Sequence, residues 1–270
     1  MPELPEVELT AQGLSPLIGQ RCLSAGACGL RLRWPPSADI PLEAAGQFAQ
    51  GVGRRAKFAF LRLDQNSFIF HLGMSGALRL DPPGSPLRLH DHFEARFENH
   101  WLRLNDPRRF GGVLWAQAGR ERDLAELAKL GPEPLEDDFN GEYLREKLRD
   151  RRVPVKALLM DQTVVVGVGN IYASEALFLA GIRPGRAARR LSRPDCDRLA
   201  HQVKAVLAKA IVDGGSTLRD FRHVNGQSGK AQDAHRVYAK AGLPCPQCES
   251  PIRDKVIGGR NSFFCVVCQK

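Results

Sequence analysis

Two Cys-x2-Cys pairs lie near the end of the chain: Cys245 and Cys248, then, after sixteen intervening residues, Cys265 and Cys268. Pairs at this spacing put four thiolates at the corners of a tetrahedron around one zinc ion, so the intervening chain must run out and back. Each pair sits on a tight turn, Pro244-Cys-Pro-Gln-Cys and Phe264-Cys-Val-Val-Cys, and the span from Ile252 to Phe264 has the length of a β-hairpin. A closed four-sulfur site leaves no position for a substrate. The expected single Zn2+ is therefore structural, holding together a module too poor in apolar residues to fold without it. The other three of the seven cysteines, Cys22, Cys28 and Cys196, stand alone and read as buried or incidental thiols.

Ahead of this module the texture changes twice. Leu4, Val7, Leu14, Leu17 and Ile18 recur at helical spacing and predict an N-terminal amphipathic helix. Strand-like stretches follow at 21–34, 57–63, 67–71, 92–97, 101–104 and 113–115, separated by turn residues such as Asp64-Gln-Asn and Asp81-Pro-Pro-Gly. Strands in series without intervening helices argue for an antiparallel sandwich or barrel. The Pro-rich acidic run Gly131-Pro-Glu-Pro-Leu-Glu-Asp-Asp reads as a linker, after which helices are predicted over 143–151, 154–160, 171–180 and 192–212, with a short turn after Ser216. The expectation is an α+β multidomain chain in three parts: 1–130, 131–230 and 236–270. Gly167-Val-Gly169 mimics a dinucleotide fingerprint, but the sixth position is Tyr172 and no acidic residue follows at the ribose-binding distance. Glycines leading into a helix that opens on Asn170 suit a phosphate instead.

Lys and Arg number 39 against 30 Asp and Glu, a formal charge of +9, which favours a polyanionic partner. The basic residues cluster: Arg54, Arg55 and Lys57; His71; Arg88, His90 and His92; Arg103; Arg108 and Arg109; Arg149, Arg151 and Arg152; and Arg260. Cations at strand ends and loops position a nucleic acid without reading its sequence. Met74, in a Gly-flanked turn, and Phe110, beside Arg108, are apolar residues placed where they can wedge between base pairs. No run of about 18 apolar residues spans a membrane, and the acidic start Glu3, Glu6, Glu8 has the wrong sign for a signal peptide. A cytoplasmic location is expected, in keeping with paired cysteines used for metal.

The chain opens Met-Pro-Glu-Leu-Pro-Glu. Removal of Met1 leaves Pro2 as a free secondary amine with the Glu3 carboxyl beside it. A terminal amine titrates near pH ~7.7–8, so part of it is uncharged at neutral pH, and such amines attack carbonyl or sugar carbons to give an iminium.

These features resemble the bacterial formamidopyrimidine-DNA glycosylase family over essentially the whole chain. The resemblance is carried by MPELPEVE at 1–8, RRAK at 54–57, HLGMSG at 71–76, HDH at 90–92, DPRRFG at 106–111, LGPEPL at 130–135, FNGEYL at 139–144, VVGVGNIYASEALF at 165–178 and the cysteine pairs. It implies an N-terminal β-sandwich with the catalytic helix, a helix-two-turn-helix DNA domain and a zinc-finger hairpin. The implied activity is excision of oxidised purines, 8-oxoguanine and formamidopyrimidines, from double-stranded DNA, followed by strand cleavage through β,δ-elimination. By motif, Pro2 is the nucleophile, Glu3 handles protons at the sugar, Lys57 serves β-elimination and Arg260 serves δ-elimination. His71, His90, Arg108, Arg151 and Asn170 fall at DNA-contacting positions. Met74, Arg108 and Phe110 fall at the positions that fill the gap left by an extruded nucleotide.

In one place the chain departs from the family. Where the family often carries Gly-Tyr-Phe in a loop over the flipped base, Gly229-Lys230-Ala231 stands here, so no base-recognising residue is assigned there. Two other readings remain: a glycosylase of the endonuclease VIII type for oxidised pyrimidines, against which HLGMSG and Leu4 argue, and a zinc-containing DNA binder without catalysis, against which Pro2, Glu3, Lys57 and Arg260 argue. A monomer is expected.

Overall fold

The computed structural model describes residues 2–216, 224, 229 and 231–270. The chain forms two compact units, Met1–Lys129 with Asp213–Gln232, and Leu130–Val212 with Asp233–Lys270.

The first unit opens with helix α1 (Leu4–Gly13), whose start is fixed by a reciprocal cap: the Glu3 N–H donates to Glu6 Oε2 at 2.8 Å and the Glu3 side chain accepts from the first turn. Leu4, Val7, Leu14 and Leu17 are buried as the spacing predicts, and Ala11 is buried with them, whereas Ile18 is half exposed because the helix has already ended in a 3-10 turn over Ser15–Leu17. Strands β1 (Cys22–Ala27), β2 (Ala49–Arg55), β3 (Phe58–Leu63), β4 (Asn66–His71), β5 (Ala77–Asp81), β6 (Asp91–Phe97), β7 (Trp101–Asn105) and β8 (Gly112–Gln117) follow, with a short helix α2 (Ile40–Glu43) between the first two.

They make two antiparallel four-stranded sheets, in the orders β1-β6-β7-β5 and β2-β3-β4-β8. Register on β4 pairs Phe68 with Trp115 and Phe70 with Val113. The alternate residues Phe68 and Phe70 therefore point to one face, where both meet Phe93 of the other sheet edge-on at 5.6 and 5.9 Å between ring centroids. Val7, Ala11, Leu14 and Leu17 join the same core, so the sandwich is sealed in part by α1 and its continuation.

Two strands, β2 and β5, fall outside the predicted stretches. Glycines at 51 and 53 weaken the β2 pattern, and β5 begins where the HLGMSG turn ends. The predicted strand over 21–34 stops at Ala27, because Gly29 packs against the backbone and ring of Asp91 and His92, and Trp34 has moved across to pair with Gly112.

A short helix α3 (Ala125–Ala128) closes the first stretch of the first unit, and α4 (Gly141–Leu148), α5 (Val155–Leu159), α6 (Asn170–Leu179) and α7 (Arg193–Val212) build the second. Asn140 caps α4 by accepting from Tyr143 N, and Gly141 lets α4 approach α7 so closely that a Cβ there would strike Asp197. Helix α6 is buried on all sides from Ile171 to Phe178 and forms the axis of the unit. The predicted linker has no regular structure, yet it is packed: Gly131 N donates to Gln162 O, Val166 N donates to Pro132 O, and Phe139 is fully buried. The glycine-rich run 164–169 is a turn leading into α6, with no preceding strand. Strands β9 (Arg253–Ile257) and β10 (Arg260–Phe264) form the expected hairpin. Gly258 and Gly259, at φ +57° and +72°, supply its two-residue turn. The turn expected after Ser216 and the Lys230 departure lie outside the described residues.

Candidate active site and nucleic-acid interface

Pro2 and Glu3 lead directly into α1, and both are buried. Glu6, itself buried, holds this start in place: besides receiving Glu3 N–H, its Oε1 accepts from Ser216 N at 2.8 Å. In a chain that retains Met1 the Pro2 nitrogen is an amide without basicity, so its chemistry depends on processing; Met1 itself lies outside the described residues. Glu6 was legible only as a first-turn acid. Its fixing role emerges from a partner 210 residues away.

Lys57 occupies the second position of the β2–β3 turn, after Ala56 at φ +54°, and is only 9% exposed. Arg54 ties this turn to α1: its Nε donates to Glu8 Oε2 at 2.9 Å and its Nη1 to Ala56 O at 3.0 Å. The guanidinium is consumed in placing Lys57 relative to the N-terminal helix. Arg103 and His92 are likewise buried, at 1% and 3% exposure. Arg103 donates to Asp81, Glu94 and the carbonyls of Ser85 and Pro86, and His92 shares hydrogen bonds with Leu30 N and Asp106 O. These three members of the basic clusters are thus framework residues and not phosphate ligands, because a phosphate cannot reach them.

His71 ends β4 amid aromatic rings, with Trp34 at 4.9 Å and Phe58 at 5.0 Å between centroids. Burial, reinforced by the charges of Lys57 and Arg33 and opposed by Asp106, lowers its pKa from 6.5 to about 4. The ring is neutral at neutral pH, and since Nδ1 accepts from Gly73 N at 3.2 Å, the proton resides on Nε2. His71 therefore offers a neutral N–H donor, where the sequence suggested a cation.

The Met74 turn and the 106–111 loop are built against each other. Gly73, at φ +60°, lies so close to the Phe110 carbonyl that a Cβ would stand 2.4 Å from it. Met74 is half-buried, Phe110 is 42% exposed, and the Arg108 guanidinium lies 5.0 Å from the Phe110 ring centroid. His90, exposed at φ +73°, leads into β6. Lys57, His71, Met74, Arg108 and Phe110 thus all sit on turns and strand ends of the sandwich.

In the second unit Asn170 is the first residue of α6, at the positive end of the helix dipole, which favours an anion. Its Nδ2 donates to Asn261 O at 3.1 Å, and its Oδ1 accepts from Lys156 Nζ at 2.6 Å. Lys156, 1% exposed, also donates to Ser262 Oγ at 2.7 Å. This buried lysine locks the N-terminus of α6 to β10, next to the exposed Arg260. The only sequence signal for it was a charge interrupting the apolar run of α5. Arg151 is exposed just beyond α4.

The four zinc-type cysteines converge, with sulfurs within 4.8 Å of one another. Cys245 and Cys268 sulfurs are 3.8 Å apart, and those of Cys248 and Cys265 are 3.5 Å apart. Tetrahedral coordination at ~2.3 Å from the metal requires sulfurs about 3.8 Å apart, so the set fits one structural Zn2+. The cluster shares a core with Phe178 of α6, Val237 and Ile252. Glu175, one turn earlier on α6, accepts from the N–H groups of Arg236, Val237 and Tyr238 and fixes the entry to the finger. The lone cysteines behave as expected: burial pushes Cys22 up to about 12 and Cys196 up to about 11, while burial with Glu94 and Asp91 raises Cys28 to about 11.

Comparison with known families matches residues 1–113 to the formamidopyrimidine-DNA glycosylase N-terminal domain, 130–222 to the H2TH domain of the same glycosylase, and 242–270 to the zinc finger found in FPG and IleRS. The chain belongs to the formamidopyrimidine-DNA glycosylase family. Formamidopyrimidine-DNA glycosylases of Thioalkalivibrio sulfidiphilus and Stenotrophomonas maltophilia are each 48% identical to it over 272 residues, covering all of both chains. Among solved structures, a complex of a Lactococcus lactis FPG point mutant with Fapy-dG-containing DNA superposes with a TM-score of 0.92 at 34% identity and full coverage of both chains. A complex of Lactococcus lactis Fpg with abasic-site DNA gives 0.91 at 34% identity over 99% of each chain. The family carries the sandwich, the helical H2TH domain and the finger in the order found here. Among the described residues, no helix is long and apolar enough to cross a membrane.

Proposed function

We propose that this chain is a bifunctional glycosylase and abasic-site lyase that removes oxidised purines from duplex DNA. The observation that carries the reading is the start of α1: Pro2 and Glu3 stand at its head, the Glu3 backbone is locked by Glu6, and Arg54 fastens the Lys57 turn to the same helix. Membership of a family whose relatives are named formamidopyrimidine-DNA glycosylases supports the glycosylase part of it, as do the complexes of the Lactococcus lactis relative with Fapy-dG and abasic-site DNA.

A base stacked in a duplex hides the sugar carbon, so the nucleotide must first rotate out at a cost of a few kcal/mol, less when the base is damaged. Met74, Arg108 and Phe110 fill the space it leaves, while His71, His90, Arg151, Asn170 and Arg260 hold the backbone. The free Pro2 amine then attacks C1′ and displaces the base, with Glu3 managing protons at the sugar. The C1′–O4′ bond then breaks, the proton lost by the Pro2 nitrogen passing to O4′ by way of Glu3, and the opened sugar is left as an iminium that acidifies the C2′ proton. Its removal expels the 3′ phosphate, with Lys57 as proton donor in this β-elimination, and Arg260 assists the second, δ-elimination. Zinc, held by Cys245, Cys248, Cys265 and Cys268, supplies rigidity to the finger that carries Arg260. The work divides over 1–130 for chemistry, 131–230 for DNA binding and 236–270 for the finger, in a monomer acting in the cytoplasm.

Borohydride trapping tests the reading. The processed wild type should form a covalent adduct with DNA containing 8-oxoguanine, and Pro2→Gly with a blocked amine should form none; equal trapping by both overturns the assignment of Pro2. In direct competition, 8-oxoguanine duplexes should be cut in preference to thymine-glycol duplexes, and the reverse order would move the chain to the pyrimidine-specific branch.

A further inference from the structure

We propose that Asp106 is the positioning residue of the wedge, a single carboxylate that sets the Met74 turn and the Arg108–Phe110 loop in register. The inference rests on the proposed wedging role of Met74, Arg108 and Phe110. Asp106 follows β7 and is fully buried. Its Oδ1 accepts from Ser75 Oγ at 2.6 Å and from Arg108 N at 3.3 Å, while its Oδ2 accepts from Gly111 N at 2.7 Å.

Its main chain extends the same hub. Asp106 N donates to His90 O at 2.9 Å, and Asp106 O accepts from Arg109 N at 3.1 Å and from His92 Nε2 at 3.1 Å. One residue thereby binds the turn carrying Met74, the loop carrying Arg108 and Phe110, and the corner carrying His90. Within that loop Arg109 adopts φ +56°, a conformation disfavoured for a side-chain-bearing residue. Such a backbone persists only where its surroundings over-determine it, and the hydrogen bonds converging on Asp106 do so here. The requirement is for two acceptor oxygens in a fixed plane: an amide presents one acceptor and turns a donor toward either Ser75 or Gly111.

The test compares wild type with Asp106→Asn and Ser75→Ala, the latter removing the Ser75 Oγ hydrogen bond to Asp106 and the one that Ser75 Oγ accepts from Arg108 N at 3.2 Å, while leaving the carboxylate. Wedge insertion is read by the fluorescence of 2-aminopurine placed opposite the lesion at saturating protein. Chemistry without insertion is read by borohydride trapping on a single-stranded oligonucleotide bearing an abasic site. A sub-ångström to 1 Å misplacement lowers turnover by about 10–100-fold, so Asp106→Asn should reduce the fluorescence rise and slow excision from duplexes at least ~10-fold more than it slows single-strand trapping. Ser75→Ala should shift both duplex readouts in the same direction by a smaller factor. Wild-type fluorescence in both variants, or an equal loss in duplex and single-strand reactions, overturns the proposal. If Asp106→Asn fails to fold, Ser75→Ala alone decides, with an unchanged duplex to single-strand ratio counting against it. Met74→Ala and Phe110→Ala serve as separate controls: an undiminished fluorescence rise in both refutes the wedge reading itself, whatever Asp106 does.

Discussion

Protonation acts on His71 and Asp91 from opposite starting points, and both effects remove stability on the acid side. His71 is depressed to about 4 in the folded chain, against ~6.5 when unfolded. Between those values only the unfolded chain takes up the proton, so its contribution is complete above pH ~6.5 and is lost as pH falls toward 4. Asp91 is pushed up by burial, but hydrogen bonds from Arg79, Asn105 and the Arg88 backbone outweigh this and hold it below the usual carboxylate range. Its contribution is present above the unfolded value of ~3.9 and is lost as pH falls through the folded one. Urea midpoints should therefore fall steadily from pH 7 to pH 4, and His71→Gln should flatten that slope. In NMR titrations the imidazole should stay in the Nε2–H form until pH approaches 4. Arg103→Ala should be far more damaging, by about 3–5 kcal/mol in urea unfolding, since it strips a buried partner from Asp81 and Glu94 and from two carbonyls.

Elements were legible where pattern and packing agreed. The apolar spacing of α1, the short apolar stretches of β3 and β4 and the helical segment that becomes α6 each lead to the structure observed. Strand β2 was illegible because glycines stand where the pattern needs side chains, and the packed stretch 131–140 because prolines and acids look alike in a linker and in an irregular segment that donates to Gln162 and Pro132. The basic clusters misled in part for a similar reason: charge alone does not separate exposed Arg108 from buried Arg103, whose carboxylate partners come from strands distant in sequence. Turns carry the tightest constraint. Gly73→Ala would require a positive φ and a clash with the Phe110 backbone, so it should cost more than ~1 kcal/mol in thermal unfolding and displace Phe110, with loss of 2-aminopurine unstacking as the second readout.

The metal-bound finger and the sandwich draw on different cores. Phe178, Val237, Cys245, Ile252 and Cys265 share one cluster, whereas Phe68, Phe70 and Phe93 belong to another. Cys248→Ser should therefore lose zinc by metal analysis and lose DNA affinity while the β-sandwich circular dichroism signal persists. At this scale the cysteine spacing and the ordered motifs announced the three-part organisation. What spacing could not reveal were the fasteners, Glu6 to Ser216, Lys156 to Asn170 and Ser262, and Glu175 to residues 236–238, because each joins segments that meet only after folding. The chemistry nevertheless depends on a single nitrogen. After borohydride trapping on 8-oxoguanine DNA, proteolysis and mass spectrometry should find the reduced sugar remnant on an N-terminal peptide beginning at Pro2. An adduct on Lys57 or another lysine, or a peptide still carrying Met1 in material that cuts DNA, would contradict the account.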